Sequence, residues 1–229
     1  MEARRGRNTL VALKRPVLIK KGAEASLYLA EWHGRKVVMK KRLPKEYRPS
    51  QLDLRIRTYR TVHEPQLMHE AKVAGVPTPL IYLVDVKDST IIMEYVDGRQ
   101  VKQLLGEVAE RERRRLCFKI GCLIGLLHKH GMVHGDLTTS NMILDGDGNV
   151  CFVDFGLGEK TVELEARAVD LHLMKRALQS THFEFADECM RSVVEGYAST
   201  VGAESSRKVT EKIGEIERRG RYVAERKEK

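Results

Sequence analysis

The sequence predicts an α+β fold, with strands concentrated in the first part of the chain and helices after them. Three observations predict it. Short runs of β-forming residues, broken by turn residues, recur between positions 17 and 93. Farther on, Leu116, Ile120, Leu123, Ile124 and Leu127 fall at helical spacing. Between Val133 and Gly156 a group of polar residues, His134, Asp136, Asn141 and Asp154, is spaced around a short predicted hairpin.

Taken in order, residues 1–15 are basic and lack periodicity, so a flexible arm is expected. Strands are predicted at Val17–Lys20, Ala25–Trp32 and Lys36–Lys41, the last two joined by a turn at His33-Gly34. Pro44–Ser50 reads as a loop and Gln51–Arg60 as a basic helical stretch. Glu64 opens a run with Leu67, Met68 and Ala71 on one helical face, closed by Gly75 and Pro77. Pro65 disfavours helical geometry at Glu64 and removes a donor, so the helix is expected to start or kink there. Leu80–Val84 and Thr90–Met93 are further strands. The helix through Leu116–Leu127 is capped by Gly131. His128 and His130 alternate and cannot share a helical face, which argues against zinc. Val169–Leu178 and Phe183–Tyr197 read as helices. A charged helix begins near Ala203; Gly220 is expected to stop it, leaving a basic tail over 218–229.

Length and charge bound the rest. The 229 residues allow one or two domains with a sizeable core. The formal net charge of +9 is unevenly placed: +12 over residues 1–63, −7 over 64–206 and +4 over 207–229. Basic ends favour a polyanionic partner such as nucleic acid over simple solvated faces. No apolar run has transmembrane length, and the N-terminus lacks the apolar core of a signal peptide, so a cytoplasmic protein without membrane attachment is expected. Cys117, Cys122, Cys151 and Cys189 form no C-x-x-C pair and read as reduced, largely buried thiols.

The chemistry concentrates in VHGDLTTSNMILDGDGNVCFVDFG. His134-Gly135-Asp136 is followed by Asn141 five residues after the aspartate, and then by Asp154-Phe155-Gly156. This is the H-x-D-x-x-x-x-N plus D-F-G spacing of kinase catalytic and metal loops. Phosphoryl transfer needs an acceptor for the attacking hydroxyl's proton, the role assigned to Asp136. It also needs an amide oxygen and a carboxylate to hold Mg2+ against ATP, assigned to Asn141 and Asp154. The intervening strands, Asn141–Leu144 and Val150–Val153, should bring those two residues to one end of the hairpin. Asp145, Asp147 and Asn149 mimic the start of a calcium loop, but Val150 and Gly156 stand where it needs Gly and Glu.

Upstream residues supply the nucleotide-binding candidates. Lys40 ends Val37-Val38-Met39-Lys40, the strand whose lysine pairs with phosphates, and Glu64 is its expected carboxylate partner, with Glu70 in reserve. Gly22, Ala23, Glu24 and Ala25 lie where a kinase has its glycine-rich loop, though only Gly22 of three glycines is present. Met93-Glu94-Tyr95-Val96-Asp97-Gly98 reads as a hinge. Backbone groups of Glu94 and Val96 would bind adenine there, with Met93 behind it.

Together these residues resemble the bilobal protein-kinase-like superfamily over nearly the whole chain. They are most similar to its small atypical branch, the RIO-like kinase subunit of the KEOPS (EKC) complex, known in eukaryotes as p53-related protein kinase. The specific marks are Lys21-Gly-Ala-Glu-Ala25, Arg60-Thr61 before Glu64, His134-Gly-Asp-Leu-Thr-Thr-Ser-Asn141, Asp154-Phe-Gly-Leu157, Val169-Asp170-Leu171, Ser180-Thr181-His182 and Arg219-Gly-Arg221. The resemblance implies lobes at 16–93 and 94–217. It also implies a serine/threonine-type kinase with ATPase activity, using ATP and Mg2+ in support of threonylcarbamoyladenosine formation on tRNA. The implied partners are the threonylcarbamoyl transferase subunit, other KEOPS subunits, and tRNA through the basic tail and N-terminal surface.

Two departures from ordinary kinases bear on mechanism. Thr138 stands where a lysine commonly neutralises the transferring phosphoryl group, so transfer should be slow. Asp170 follows Asp154 by sixteen residues with no A-P-E, so the second lobe is reduced and lacks a peptide-docking segment. Asp170 would instead anchor the catalytic loop. Two other readings stand beside this one: a kinase-fold binding module without catalysis, and a small-molecule phosphotransferase, which also uses H-G-D-x-x-x-x-N.

Overall fold

The computed structural model describes residues 13–227, and side chains as far as Arg219. The chain divides into two compact units. One takes in the chain up to Pro65 together with Pro79–Tyr95; the other takes in Gln66–Thr78 and everything from Val96.

The first unit is built on one antiparallel sheet. Its strands are β1 (Leu13–Lys21), β2 (Ser26–Trp32), β3 (Arg35–Lys41), β4 (Ile81–Asp85) and β5 (Thr90–Glu94), in the order β1-β2-β3-β5-β4. Trp32 pairs with Arg35, so His33-Gly34 is a two-residue hairpin loop. Both residues have positive φ, 49° and 75°, the pattern of a type I′ turn whose twist matches that of the strands. Ala30, Val37 and Ile92 form a buried cluster beneath Leu13, Trp32, Tyr82 and Leu83. Strand β1 takes in Leu13–Arg15, which the sequence placed in a flexible arm; residues 1–12 of that arm lie outside the described residues.

Helix α1 (Ser50–Val73) runs through Pro65, so it does not start there, one of the two outcomes expected. Glu64 and Thr61 before the proline are buried, and so are Leu67, Met68 and Ala71 after it. Packing on both sides therefore outweighs the lost backbone bond. The division between the units falls inside this helix, so residues 66–78 group with the helical unit and not with the expected 16–93 lobe.

The second unit opens with β6 (Gly98–Gln100) and α2 (Val101–Leu104), followed by α3 (Glu110–Lys129) and β7 (Met132–Val133). Then come β8 (Met142–Asp145), β9 (Val150–Phe152) and β10 (Glu159–Lys160), and finally α4 (Leu164–Thr181), α5 (Ala186–Val201) and α6 (Ala203–Lys227). Strands β6, β8 and β9 form one small sheet, and β7 and β10 pair as another. The core lies between α3 and α5. A Cβ on Gly121 would stand 2.0 Å from the Val193 carbonyl oxygen, and one on Gly196 would stand 1.9 Å from that of Phe118. The helix backbones touch there, and only glycine fits. Cys117 and Cys189 are buried within this contact, Cys151 is buried in β9, and Cys122 is half-buried; none of the four is in a disulfide.

The expected helix Phe183–Tyr197 is a short 3-10 turn at Phe183–Phe185 followed by α5. Helix α6 continues through Gly220 to Lys227, so that glycine does not stop it, and the predicted tail over 218–229 is mostly helix; residues 228 and 229 lie outside the described residues. Lys175 bonds Glu217 at 2.7 Å and Arg219 bonds Glu165 at 2.7 Å, tying α6 to α4. Among the described residues, no helix is long and apolar enough to cross a membrane.

Candidate active site

In the strand-rich unit, β3 and α1 bring the predicted lysine and glutamate together. Lys40 Nζ donates to Glu64 Oε1 at 2.7 Å, and the two side chains are 7% and 1% exposed. Glu70, the reserve partner, is occupied elsewhere, bonding Lys160 at 2.8 Å and lying 3.6 Å from His130. Lys160 lowers the Glu70 carboxyl pKa, first by its hydrogen bond and then by its charge. Sequence reasoning missed Arg42: its Nη2 donates to Glu64 Oε2, so each oxygen of one buried carboxylate holds a different cation.

The loop Lys21–Ser26 turns tightly, with Gly22 N–H donating to Ala25 O at 2.9 Å. Ala23 is exposed, whereas Gly22, Glu24 and Ala25 are half-buried. Glu24 Oε1 accepts from Arg48 Nη2 at 2.9 Å, and Oε2 lies 2.8 Å from Arg60 Nη1. The Arg48 hydrogen bond is the chief cause of its lowered pKa. This side chain ties the loop to Arg48 and to Arg60 of α1. Met93 is buried in β5 opposite Val38 and Ile81. The backbone N–H of Glu94 is taken by Leu80 O at 2.8 Å, and its carboxylate accepts from Leu80 N–H at 2.9 Å.

In the helical unit, the turn from β7 carries His134, Gly135 and Asp136. Gly135 has φ 78°, and a Cβ there would meet the Leu157 carbonyl oxygen at 2.1 Å, so the second position of H-G-D must be glycine. Asp170 of α4 holds this turn. Its Oδ2 accepts from His134 N–H at 2.7 Å and its Oδ1 from Gly135 N–H at 2.8 Å. The same carboxylate lies 3.3 Å from His128 Nε2, and His128 Nδ1 lies 3.0 Å from the Tyr197 hydroxyl. His128, Asp170 and Tyr197 are all buried, and desolvation pushes the Tyr197 pKa up to about 12. The anchoring by Asp170 was foreseen, but its supports on α3 and α5 were not.

His134 fixes the next step. Its Nδ1 accepts from Asp136 N–H at 3.3 Å, so Nε2 carries the proton and donates to Val153 O at 3.2 Å. Burial lowers its pKa, against the opposing charges of Asp170, Asp154 and Asp136, and keeps the ring neutral. Asn141 Nδ2 donates to Asp136 Oδ2 at 2.8 Å and to Asp136 O at 3.0 Å, which leaves Oδ1 as its acceptor. Val153 N–H donates to Asn141 O at 2.9 Å, setting Asp154 beside the base of the asparagine. Asp154 has φ 67°, a left-handed backbone unusual for a non-glycine residue and the kind of strain concentrated at functional sites. Phe155 is fully buried, with its ring 4.4 Å from that of His134.

The hairpin between β8 and β9 uses the Asp145 carboxylate to close its own turn. Asp145 Oδ1 accepts from Asp147 N–H at 3.0 Å and Asn149 N–H at 2.7 Å, and these bonds, Asn149 first, lower its pKa. An oxygen set of Asn141 Oδ1 and Asp154 suits a hard cation that keeps several waters and takes the rest of its shell from phosphate.

The protein kinase domain model matches residues 17–194. Among curated proteins the chain is 46% identical over 211 residues to the KEOPS complex subunit Bud32 of Pyrococcus abyssi, covering 90% of this chain and 96% of that one. The chain belongs to the Bud32 family of protein kinases.

The motif-based resemblance to the KEOPS branch therefore holds. The chain is also 42% identical over 208 residues to a probable bifunctional tRNA threonylcarbamoyladenosine biosynthesis protein of Methanothermobacter thermautotrophicus. That match takes in 91% of this chain and 37% of the relative, so this chain corresponds to just over a third of the longer protein. Among solved structures, the Rio2 kinase–ADP/Mg2+–phosphoaspartate complex of Chaetomium thermophilum aligns with TM-score 0.61 at 16% identity, over 93% of this chain and 72% of that one. That likeness establishes the fold as protein-kinase-like.

Proposed function

We propose that this chain is an ATP- and Mg2+-dependent kinase of serine/threonine type with ATPase activity. It serves in the cytoplasm as the kinase subunit of a KEOPS complex that supports threonylcarbamoyladenosine formation on tRNA. The observation that carries the reading is the Asn141 amide seated on the Asp136 carboxylate, within a loop clamped by Asp170. That arrangement orients a proton acceptor and an oxygen ligand together, which phosphoryl transfer needs and a simple binding module does not.

In this mechanism Lys40, set by Glu64, contacts the phosphates of ATP, and the loop lends backbone N–H groups from Ala23–Ala25, the Gly22 N–H being used to close the turn. Backbone groups of Glu94 and Val96 hold the adenine. Asn141 and Asp154 would hold Mg2+, which supplies charge neutralisation on the phosphate oxygens. Asp136 receives the proton of an attacking hydroxyl or water. Thr138 carries no positive charge, so transfer is slow, and water is a realistic acceptor. The names of the relatives support the tRNA assignment, with the transferase subunit, the other KEOPS subunits and tRNA as partners. The excess of Lys and Arg at both ends fits a polyanion.

The test is ATP turnover by the full chain, alone and then with the transferase subunit and tRNA. Asp154→Ala should lower turnover by at least about a thousandfold while leaving the fold and subunit binding intact. Unchanged turnover in that variant overturns the metal assignment.

A further inference from the structure

Lys40 in β3 and Arg42, one residue past the strand's end, stand two residues apart and both reach the Glu64 carboxylate. Helix α1 presents Thr61 and Glu64 three residues apart, on one face. The four side chains meet in a buried cluster. Glu64 is 1% exposed, Arg42 3% and Thr61 0%. Lys40 takes one oxygen of Glu64 and Arg42 takes the other, while Arg42 Nη1 reaches Thr61 Oγ1 at 3.5 Å. The backbone N–H of Arg42 is fixed on Ser89 O at 3.0 Å, immediately before β5.

A lone lysine holds a carboxylate through a single point charge, about which the carboxylate can still rotate. A guanidinium on the second oxygen removes that freedom, because its planar fork has a fixed direction. Arg42 is itself immobilised by burial and by its backbone bond. It cannot leave for solvent without abandoning a buried charge, which is costly. The Glu64 side chain thus has one orientation, and that orientation presents Oε1 to Lys40.

We propose that Arg42 is a positioning residue for the nucleotide: it locks the Glu64 carboxylate so that the Lys40–Glu64 pair is set before ATP arrives. The inference rests on the reading of Lys40 as a phosphate contact. It goes beyond that reading by making the pair permanently assembled rather than switched by movement of α1.

The test compares Arg42→Met, Lys40→Met and the double variant in the full chain, measuring Mg-ATP binding by calorimetry and steady-state turnover. Arg42→Met should raise KM and Kd for ATP about tenfold with kcat changed less than about threefold, and Arg42→Lys should recover part of the affinity. In the Lys40→Met background, Arg42→Met should have no further effect on affinity, because Arg42 acts only through the pair. A structural role alone would give additive losses, or a fall in kcat at unchanged KM, and either result overturns the proposal. If Lys40→Met binds Mg-ATP as the natural chain does, the phosphate role of Lys40 fails. If Lys40→Met loses binding and Arg42→Met does not, Lys40 stands and only the positioning role falls. Should Arg42→Met not fold, Arg42→Gln takes its place under the same criteria.

Discussion

Each of the two units places a buried acid at its part of the candidate site, and the two acids are held in different ways. Glu64 is gripped by side chains, Lys40 on one oxygen and Arg42 on the other. Asp170 is gripped mainly by backbone, the N–H groups of His134 and Gly135, with the His128 imidazole beside them. An acid held by cations is part of a charge balance, so an incoming polyphosphate can draw on one of its partners. An acid held by backbone N–H groups fixes where the chain runs, whatever is bound. The contrast separates binding from geometry: the first acid should govern nucleotide affinity and the second should govern turnover.

Glu64→Ala should have the largest effect on stability. It leaves two cations buried without their shared carboxylate, at a cost of about 3–5 kcal/mol. Denaturant melts at constant slope would measure it, and nucleotide affinity should be lost as well. Asp170→Ala should come second. It strips acceptors from two backbone N–H groups of the catalytic turn, at a cost of about 3 kcal/mol in all. Here Mg-ATP affinity should survive while kcat drops at least tenfold. If both variants lose affinity and turnover alike, the contrast between the two acids is broken.

The smallest effect is one of pH. Burial depresses the His134 pKa, so the unfolded chain binds this proton more readily than the folded one. Stability should therefore be unaffected by this group above about pH 6.5, fall as pH drops below that value, and level off below the folded value. Thermal melts from pH 7.5 to 5 should show this slope. In His134→Gln the slope should flatten, leaving the share contributed by His182, whose pKa is also lowered by burial, with Lys102 and Arg113 adding to it. An identical slope in the variant would mean that His134 takes no part.

Much of the site was legible because its residues are close in sequence and their chemistry restricts their types. Asp136, Asn141 and Asp154 lie within nineteen positions, and one hairpin connects them. The Lys40–Glu64 pair is long-range but was readable through the motif around each member. Arg42 had no such signal, since a basic residue after a strand ordinarily points to solvent. The ion pairs of Glu24 with Arg48 and Arg60 were equally hidden, because they join positions far apart in the chain. Local rules also underestimated helix continuity. At Pro65 burial on both sides carried the helix past a residue that tends to break one. At Gly220 a glycine read as a stop lies inside a continuing helix. The propensity cost is about 1 kcal/mol for a glycine and about 3 kcal/mol for a proline inside a helix, and at Pro65 the buried contacts on both sides exceed it.

Between Asp154 and Asp170 the chain makes a short turn, the two-residue strand β10, a three-residue link and the opening turns of α4. So short a connection offers no long segment there for a regulatory modification to reshape. The timing of catalysis would then be set by visitors: the reaction waits for another molecule to arrive.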